Sequence, residues 1–329
     1  GRVAFTFLLS REDPATLVRE ARKALQAIEG VAEVKISVVD PAGPAAVTHG
    51  PPGAPQSAQG GVPAPVPAAM PSLGKVIAVS SGKGGVGKST VAVNVAVGLA
   101  RKGLRVGVMD ADIYGPNIPR MFGLFERPFV VGGRIQPLQA HGVKLISLGF
   151  LVDRDAPAIW RGPIIMKVIQ QFLNDVDWGE LDYLIVDMPP GTGDAQLSLV
   201  QSITVSGAII VTTPQEVAVG DALRGAKMFE KVNVPVLGVV ENMSGFTDPE
   251  TGRRFEFFSS GGGRRLAEEL GVPLLAEVPL QPDLAQLADR GEPLIVAAPE
   301  SQAAVVLAGL ADKVHDLAQQ HVVELPTLG

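Results

Sequence analysis

From residue 75 onward, short segments rich in Val, Ile and Leu alternate with stretches of helical character. The predicted strands are 75–81, 104–110, 143–150, 183–188, 207–213, 234–242 and 273–280. Near-continuous apolar strands are typical of parallel sheets, which are buried on both faces. Helices between such strands cover the sheet through right-handed crossovers. The pattern therefore predicts an α/β domain over 74–322 with a doubly wound, mostly parallel sheet.

Two regions precede this domain and a short tail, 323–329, follows it. Residues 1–40 predict a partial small α/β module, with a strand at its start, a helix beginning at Asp13 and Pro14, and a second strand over 31–39. Because two strands and one helix are marginal alone, we expect the native chain to start earlier. Residues 41–73 are rich in Pro, Gly and Ala, which predicts a linker.

The composition of the chain argues against several classes of partner and binding site. The net charge of −6 argues against nucleic acid or an anionic membrane as a partner. No apolar run approaches the roughly 20 residues of a membrane span, so we expect a cytoplasmic protein. The 329 residues include no cysteine. This excludes a disulfide framework, and it removes every thiolate for an iron–sulfur cluster or a cysteine zinc site built from this chain alone.

A glycine-rich loop follows the first strand of the large domain and opens a helix. Its sequence, SSGKGGVGKST over 80–90, satisfies the pattern G-x-x-x-x-G-K-[ST]. Glycines let backbone N–H groups surround phosphate oxygens, and the helix directs its positive end at the anion. Lys88 supplies charge to the terminal phosphates and Ser89 can ligate Mg²⁺. The predicted nucleotide-binding residues of the loop are Gly82, Lys83, Gly84, Gly85, Val86, Gly87, Lys88, Ser89 and Thr90.

Polar residues at the ends of later strands complete the predicted site. Asp110 and Asp112 end the second strand, where ligands bind in open α/β sheets, although either could instead cap the turn that follows. Asp187 ends another apolar strand and stands where a Walker B aspartate holds Mg²⁺ through water. The proline- and glycine-rich turn after it, 189–193, suits a switch that responds to the γ-phosphate. Asn242 follows a further strand, where it is either a turn residue or an amide that reads the adenine edge.

Lys83 adds a second lysine early in the loop. The resulting K-G-G-V-G-K-[ST] resembles the deviant Walker A motif of the ParA, MinD and nitrogenase-iron-protein class. That resemblance implies a nucleotide-dependent homodimer in which Lys83 reaches the nucleotide of the other subunit. It also implies that Asp112 orients the attacking water and that Asp110 supports the metal shell. The predicted catalytic residues are then Asp112, Lys88 and Lys83, and the predicted metal ligands are Ser89, Asp110 and Asp187.

A wider resemblance covers nearly all of 75–298. Segments such as SGKGGVGKSTVAVNVA, DADIYGPNIPRMFG, LIVDMPPGTGDAQLSL and VPVLGVVENMSGF resemble the Mrp/ApbC family of P-loop ATPases. The small N-terminal module is similar to the second half of the iron–sulfur-assembly domain that precedes the ATPase in many bacterial members. Membership implies binding and slow, Mg²⁺-dependent hydrolysis of ATP, dimerisation, and a [4Fe–4S] cluster at the dimer interface for transfer to apoproteins.

One segment departs from the family pattern. Where the family carries C-P-x-C-G after ENMS, this chain reads D-P-E-T-G, with Asp248 and Thr251 in the two cysteine positions. Hard oxygen ligands bind iron–sulfur clusters far more weakly than thiolates do. We therefore expect a plain turn here. A cluster would take its ligands from a partner, or the chain would act as a cluster-free scaffold for iron–sulfur assembly or apo-target proteins.

Two other functions remain open from the sequence. One is a ParA/MinD-type regulatory or positioning switch, and the other is a nucleotide-binding adaptor with little turnover.

Arg161 in the segment WRGPI is either an arginine finger or a salt-bridged surface residue. The C-terminal stretch 300–321 is helical in pattern and carries Lys313 as its only lysine or arginine. That composition favours a packing helix over a basic membrane-binding helix.

Overall fold

The structure, a computed structural model, describes residues 2–8, 33–39, 70–113, 115–151 and 162–320. The chain divides into two units between residues 62 and 63. In the first unit, strand β1 (Arg2–Leu8) pairs in parallel with β2 (Glu33–Val39). Both strands predicted for the small module are therefore confirmed. The predicted helix of that module, residues 41–69 of the linker predicted over 41–73, and the tail over 323–329 lie outside the described residues.

The second unit alternates strands and helices along the chain. Its strands are β3 (Lys75–Ser81), β4 (Val106–Asp110), β5 (Val130–Val131), β6 (Arg134–Ile135), β7 (Leu138–Ala140), β8 (Val143–Ser147), β9 (Tyr183–Asp187), β10 (Gly207–Thr212), β11 (Val236–Asn242), β12 (Phe246–Thr247), β13 (Arg254–Phe255) and β14 (Leu274–Val278). Its α-helices are α1 (Lys88–Arg101), α2 (Ile118–Met121), α3 (Gly162–Asn174), α4 (Asp194–Ser202), α5 (Glu216–Lys231), α6 (Gly262–Leu270), α7 (Leu284–Arg290), α8 (Leu294–Ala297) and α9 (Gln302–Gln320). All seven strands predicted in this domain are present.

One large sheet organises this unit, with the strand order β14-β11-β10-β3-β9-β4-β8-β7. Neighbouring strands are parallel except at one edge, where β7 runs antiparallel to β8. The prediction of a doubly wound, mostly parallel sheet is confirmed. The sequence analysis missed β7 because its three residues alternate between half-buried and exposed and form no apolar run. It also missed the hairpins β5–β6 and β12–β13, which have two residues in each strand.

Helix α1 packs against the central strands of the sheet and is buried along most of its length. Every residue from Val91 to Leu99 is buried, although valine has only modest helix propensity, so packing rather than propensity maintains this helix. A Cβ added to Gly98 would lie 2.6 Å from the Cβ of Ala311, which shows how closely α1 approaches α9. Helix α9 buries Leu307, Leu310 and Val314, so the predicted packing role is confirmed.

The packed part of the large unit begins slightly before the predicted boundary at residue 74. Residues Pro71–Leu73 form a 3-10 turn, and Leu73 is buried in the core. The N–H of Leu181 donates to the carbonyl of Ser72 at 2.7 Å. These residues, which the prediction assigns to the linker, therefore pack with the domain. Within the described ranges, no helix has the length and apolar character needed to cross a bilayer.

Three adjacent strands determine where a site can form. Strands β3, β9 and β4 are neighbours, with Val79 paired to Asp187 and Asp187 paired to Asp110. Their carboxyl ends therefore meet at one edge of the sheet, although they lie far apart in the chain. That edge carries the glycine-rich loop, which leaves β3 and enters α1. Parallel α/β sheets bind ligands at this edge.

Candidate nucleotide site

The loop between β3 and α1 is fixed by a close contact with the end of β11. The Nδ2 of Asn242 donates to the carbonyl of Val86 at 2.8 Å. Gly87 has a φ of 84°, and a Cβ there would lie 2.0 Å from that same nitrogen. Only glycine fits this position, because both the left-handed backbone and the close amide exclude a side chain. Sequence reasoning located Asn242 at the site but missed this contact, and its predicted role on adenine stays a prediction.

The ammonium group of Lys88 sits between two carboxylates. Its Nζ lies 2.7 Å from Oδ1 of Asp187 and 3.3 Å from Oδ2 of Asp112. The residue is only 5% exposed. Burial alone would lower the pKa of Lys88, but the charges of Asp187 and Asp112 outweigh burial and raise it. Lys88 is therefore a cation throughout the neutral pH range, as a phosphate-binding lysine must be.

Asp110 is fully buried behind this ion pair. Its Oδ2 accepts from the hydroxyl of Ser147 at 2.8 Å, and its Oδ1 accepts from the backbone N–H of Asp112 at 3.1 Å. Burial and the neighbouring charge of Asp187 raise the pKa of Asp110 well above its usual range. Ser147 reaches Asp110 because the two residues are paired in register on β4 and β8. Sequence analysis missed Ser147, since no motif marks it.

The oxygen atoms of Ser89 and Asp187 fit a magnesium ion. The Ser89 hydroxyl donates to Oδ2 of Asp187 at 2.6 Å, so a hard oxygen donor at the start of α1 lies beside one at the end of β9. In the part of the chain that the structure describes, no group of three or more His, Asp or Glu side chains forms a metal cage. Mg²⁺ does not need such a cage, because it is usually held by one or two protein oxygens, waters and substrate phosphates.

An open cleft of about 530 Å³ lies over these residues. The predicted loop residues on its wall are Lys83, Gly84, Gly85, Gly87, Lys88, Ser89 and Thr90. Asp112 lines it as well, whereas Asp110, Asp187 and Asn242 are buried and do not line it. Residues from α2, α7 and the positions beside them, and from the end of β11, also line the cleft. They include the apolar Met121, Met243, Leu284 and Ala288 and the polar Asn117, Arg120 and Asp289. Sequence analysis missed these lining residues.

Lys83 and Pro190, which belongs to the 189–193 turn, both line the cleft. The Nζ of Lys83 lies 3.5 Å from Oε1 of Gln215, just before α5. In the turn, the N–H of Gly191 donates to the carbonyl of Ser81 at 2.9 Å. The structure thus brings together the predicted loop, the three aspartates and the predicted turn. Arg161 lies outside the described residues.

The segment that departs from the family pattern forms the tip of the β12–β13 hairpin. Oδ1 of Asp248 accepts from the backbone N–H groups of Glu250 and Thr251, at 2.8 and 3.0 Å. These two backbone hydrogen bonds lower the pKa of Asp248. The Oγ1 of Thr251 accepts from the N–H of Arg253 at 3.3 Å. The predicted plain turn is confirmed, and both side chains bond to their own turn.

The sequence of this chain is similar to a protein-family model and to several known proteins. Residues 72–315 match the family model described as "ParA: NUBPL iron-transfer P-loop NTPase". An iron–sulfur cluster carrier protein of Synechocystis is 48% identical over 325 residues, which is 95% of this chain and 87% of that protein. The protein of the same name in Deinococcus radiodurans is 53% identical over 245 residues, 74% of this chain and 69% of its own length.

Solved structures agree with the fold. A nucleotide-binding protein of Archaeoglobus fulgidus, solved in complex with ADP, is 40% identical and superposes with a TM-score of 0.62. The match covers 70% of this chain and 91% of that one. The cell division ATPase MinD of Pyrococcus furiosus superposes with a TM-score of 0.57 at 23% identity, over 74% of this chain and 99% of its own. At that identity the MinD likeness shows a shared fold and nothing further.

Proposed function

This chain belongs to the Mrp/ApbC family of P-loop NTPases, and from that premise we propose that it is a homodimeric, slowly hydrolysing ATPase that serves iron–sulfur cluster handling. One observation carries the proposal. Lys88, Asp187 and Asp112 form a single buried ion cluster directly beneath an open cleft. The cleft is lined by the glycine-rich loop, which suits phosphates, and also by Met121, Met243 and Leu284, which offer apolar surface to a base. The ADP bound by the Archaeoglobus relative supports the same ligand class.

The cluster offers carboxyl oxygens to a metal and an ammonium group to phosphates. The carboxyl groups of Asp112 and Asp187 contact the ammonium of Lys88, and the carboxyl group of Asp110 is buried behind them. A divalent cation would stabilise the charged form of these carboxyl groups, with Ser89 and Asp187 as its protein ligands. When bound, Mg²⁺ would neutralise charge on the phosphates. Lys88 would then turn from Asp187 toward the phosphate oxygens, and the backbone N–H groups of the loop would surround them.

Asp112 is the residue proposed to orient the attacking water. It lines the cleft and lies beside Lys88, whereas Asp110 is sealed in the core. The N–H of Gly115 donates to its Oδ1 at 3.3 Å, which orients the carboxylate toward the cleft. Catalysis here would consist of positioning and charge stabilisation more than of covalent chemistry.

Lys83 is the residue proposed to link hydrolysis to dimer formation. It sits at the rim of the cleft, beside the exposed Gly84 and Gly85. A second copy facing this rim would bring its own Lys83 toward the nucleotide. The weak contact with Gln215, at 3.5 Å, leaves the ammonium group available for such a role.

In the proposed function, the chain handles iron–sulfur clusters without ligating them by itself. The sequence has no cysteine, and the donors at the corresponding positions are a carboxylate and a hydroxyl bonded to their own turn. These residues do not fit a cluster. The proposed role is therefore that of an ATP-driven scaffold whose cluster ligands, where a cluster is handled, come from a partner or an apo-target.

Nucleotide titration of the purified full chain tests the proposed activity. We expect ATP and ADP to bind, and ATP hydrolysis to require Mg²⁺ and to stop on its chelation. The mass of the particle in light scattering should double when ATP is present. Failure to bind ATP would overturn the proposal, and turnover that is unchanged by chelation would remove the metal from it.

A further inference from the structure

A buried glutamine, Gln196, connects the 189–193 turn to β3, the strand that precedes the phosphate loop. It lies in the first turns of α4 and is only 1% exposed. Its Nε2 donates to the carbonyl of Pro189 and lies 3.4 Å from the hydroxyl of Ser80. A carbonyl can only accept, so the contact with Pro189 fixes which end of the amide is the nitrogen.

The other end of this amide has no partner. Oε1 of Gln196 is buried and accepts no hydrogen bond from any residue that the structure describes. A buried acceptor without a donor is destabilising, and such groups are rare in native proteins. The amide nitrogen therefore has two partners, Pro189 and Ser80, whereas the amide oxygen is a spare acceptor at a fully buried position next to the 189–193 turn.

The turn that Gln196 contacts is well placed to move. It joins β9, which ends in Asp187, to α4, and it places Pro190 on the wall of the cleft. Gly191 has a φ of 97°, and a Cβ at Gly191 or Gly193 would meet no atom within 4 Å. The turn is thus open to solvent on one side. On the other side its contacts run to Ser81, through Gly191, and to Ser80, through Gln196.

We propose that Gln196 is a positioning residue that sets the conformation of the 189–193 turn and so determines how the site distinguishes a nucleoside triphosphate from a diphosphate. In the structure, the Nε2 contact holds the carbonyl of Pro189 against the central strand. When the turn closes on a γ-phosphate, the spare Oε1 accepts a backbone N–H of the turn and stabilises that second arrangement. Gln196 touches no substrate atom and acts only through the turn. The inference rests on the proposed ATPase function.

The test compares Gln196→Met with the parent chain. Methionine keeps the length of the side chain but removes both the donor and the acceptor. We expect the ratio of the ADP and ATP dissociation constants to fall by about tenfold, within the usual range of coupling between a site and a switch. We also expect kcat to fall while ADP affinity is retained. Hydrogen exchange in the peptide over 189–193, slowed by a non-hydrolysable ATP analogue in the parent, should no longer slow in the variant.

A matched control separates positioning from simple loss of stability. Tyr183 is buried at the opposite end of β9, where its hydroxyl lies 2.9 Å from Nδ1 of His315. Tyr183→Phe also removes a buried polar contact, and it should lower the unfolding midpoint without changing the ADP-to-ATP ratio. If Gln196→Met fails to fold, Ser80→Ala decides the question, because it removes the other partner of Nε2 and should shift the ratio in the same direction.

The outcomes distinguish this inference from the function on which it rests. A parent chain that binds neither nucleotide overturns the proposed function and the inference with it. A parent that binds and hydrolyses ATP, together with a folded Gln196→Met that keeps the parental ratio, rate and exchange pattern, overturns the inference alone.

Discussion

Two loops at the carboxyl edge of the same sheet use their acidic side chains in opposite ways. At the phosphate loop, Asp112 and Asp187 contact Lys88, and Asp110 is fully buried behind them. At the β12–β13 hairpin, Asp248 lies near the surface and bonds to the backbone of its own turn. The first arrangement borders an open cleft. The second is complete without a ligand.

The two loops are built from different parts of the sheet. The ion cluster lies at the carboxyl ends of β3, β4 and β9, whereas Asp248 lies on the hairpin that follows β11, beyond Asn242 and Met243. We therefore expect a substitution at the tip of the hairpin to leave the phosphate loop undisturbed. The largest expected effect of any substitution is at Lys88.

Lys88→Ala should have the largest effect. It removes the charge that contacts phosphate and leaves Asp187 and Asp112 buried without their cation, which costs about 3–5 kcal/mol when one partner of a buried pair is deleted. We expect ATP binding to be lost and the denaturant midpoint to fall. Lys102→Ala is the control, because Lys102 pairs with Asp312 on the surface. An exposed pair of this kind contributes about 1 kcal/mol or less. ATP binding by Lys88→Ala at parental affinity would refute the assignment.

Asp112→Ala should separate binding from hydrolysis. The carboxylate lines the cleft, and we propose that it orients water, so its loss should lower kcat by about 100-fold or more while ATP still binds. Steady-state turnover and equilibrium titration on the same preparation measure the two quantities. Turnover at the parental rate would show that another group orients the water.

Lys83→Ala should affect assembly more than binding. Its ammonium group has one weak contact at 3.5 Å, so the fold should not depend on it. We expect the ATP-dependent increase in particle mass to disappear and turnover to fall, with ATP still bound by each monomer. Equal dimerisation and equal turnover in the variant would remove the proposed action across the dimer.

Asp248→Ala should have the smallest effect on the nucleotide site. It deletes the acceptor for the N–H groups of Glu250 and Thr251, whose hydrogen exchange should become faster. ATP turnover should stay at the parental value, since the hairpin is not part of the cleft. A large loss of turnover would show that the hairpin and the phosphate loop are coupled.

The stability of the hairpin turn should depend on pH through the titration of Asp248. Its pKa is lowered by the two backbone hydrogen bonds, so it should titrate below the usual value of about 3.9 in an NMR experiment. Because the pKa is lowered on folding, the ionised Asp248 stabilises the turn fully at pH values above its unfolded-state pKa. This stabilisation is lost as the pH falls through the lower, folded-state pKa. A midpoint at or above the usual value would show that the turn is open in solution.

Much of the geometry of the candidate site could be predicted because its residues follow local rules. The loop motif fixes Lys88 and Ser89 in sequence, and strand ends place Asp110 and Asp187 at one edge of a parallel sheet. The turn at Asp248 was predictable as well, because Asp side chains readily accept hydrogen bonds from the N–H groups that follow them.

Other parts of the site depend on contacts that no local pattern encodes. Ser147 reaches Asp110 through the register of two strands, and part of the lining of the cleft comes from helices distant in sequence. Gln196 is an ordinary polar residue in a helix until the fold buries it against Pro189. The contact of Asn242 with Val86 also appears only when β11 is placed beside the loop. The edge strand β7 has too few apolar residues to be recognised.

The most direct test of the central claim is anaerobic reconstitution with iron and sulfide, followed by iron counting and absorption spectroscopy. The parent chain is measured beside a double variant, Asp248→Cys with Thr251→Cys, which restores the C-P-x-C-G pattern. We predict that the parent hydrolyses ATP but binds no stoichiometric [4Fe–4S] cluster, and that the double variant gains one. A stoichiometric cluster on the homogeneous parent chain would contradict the account.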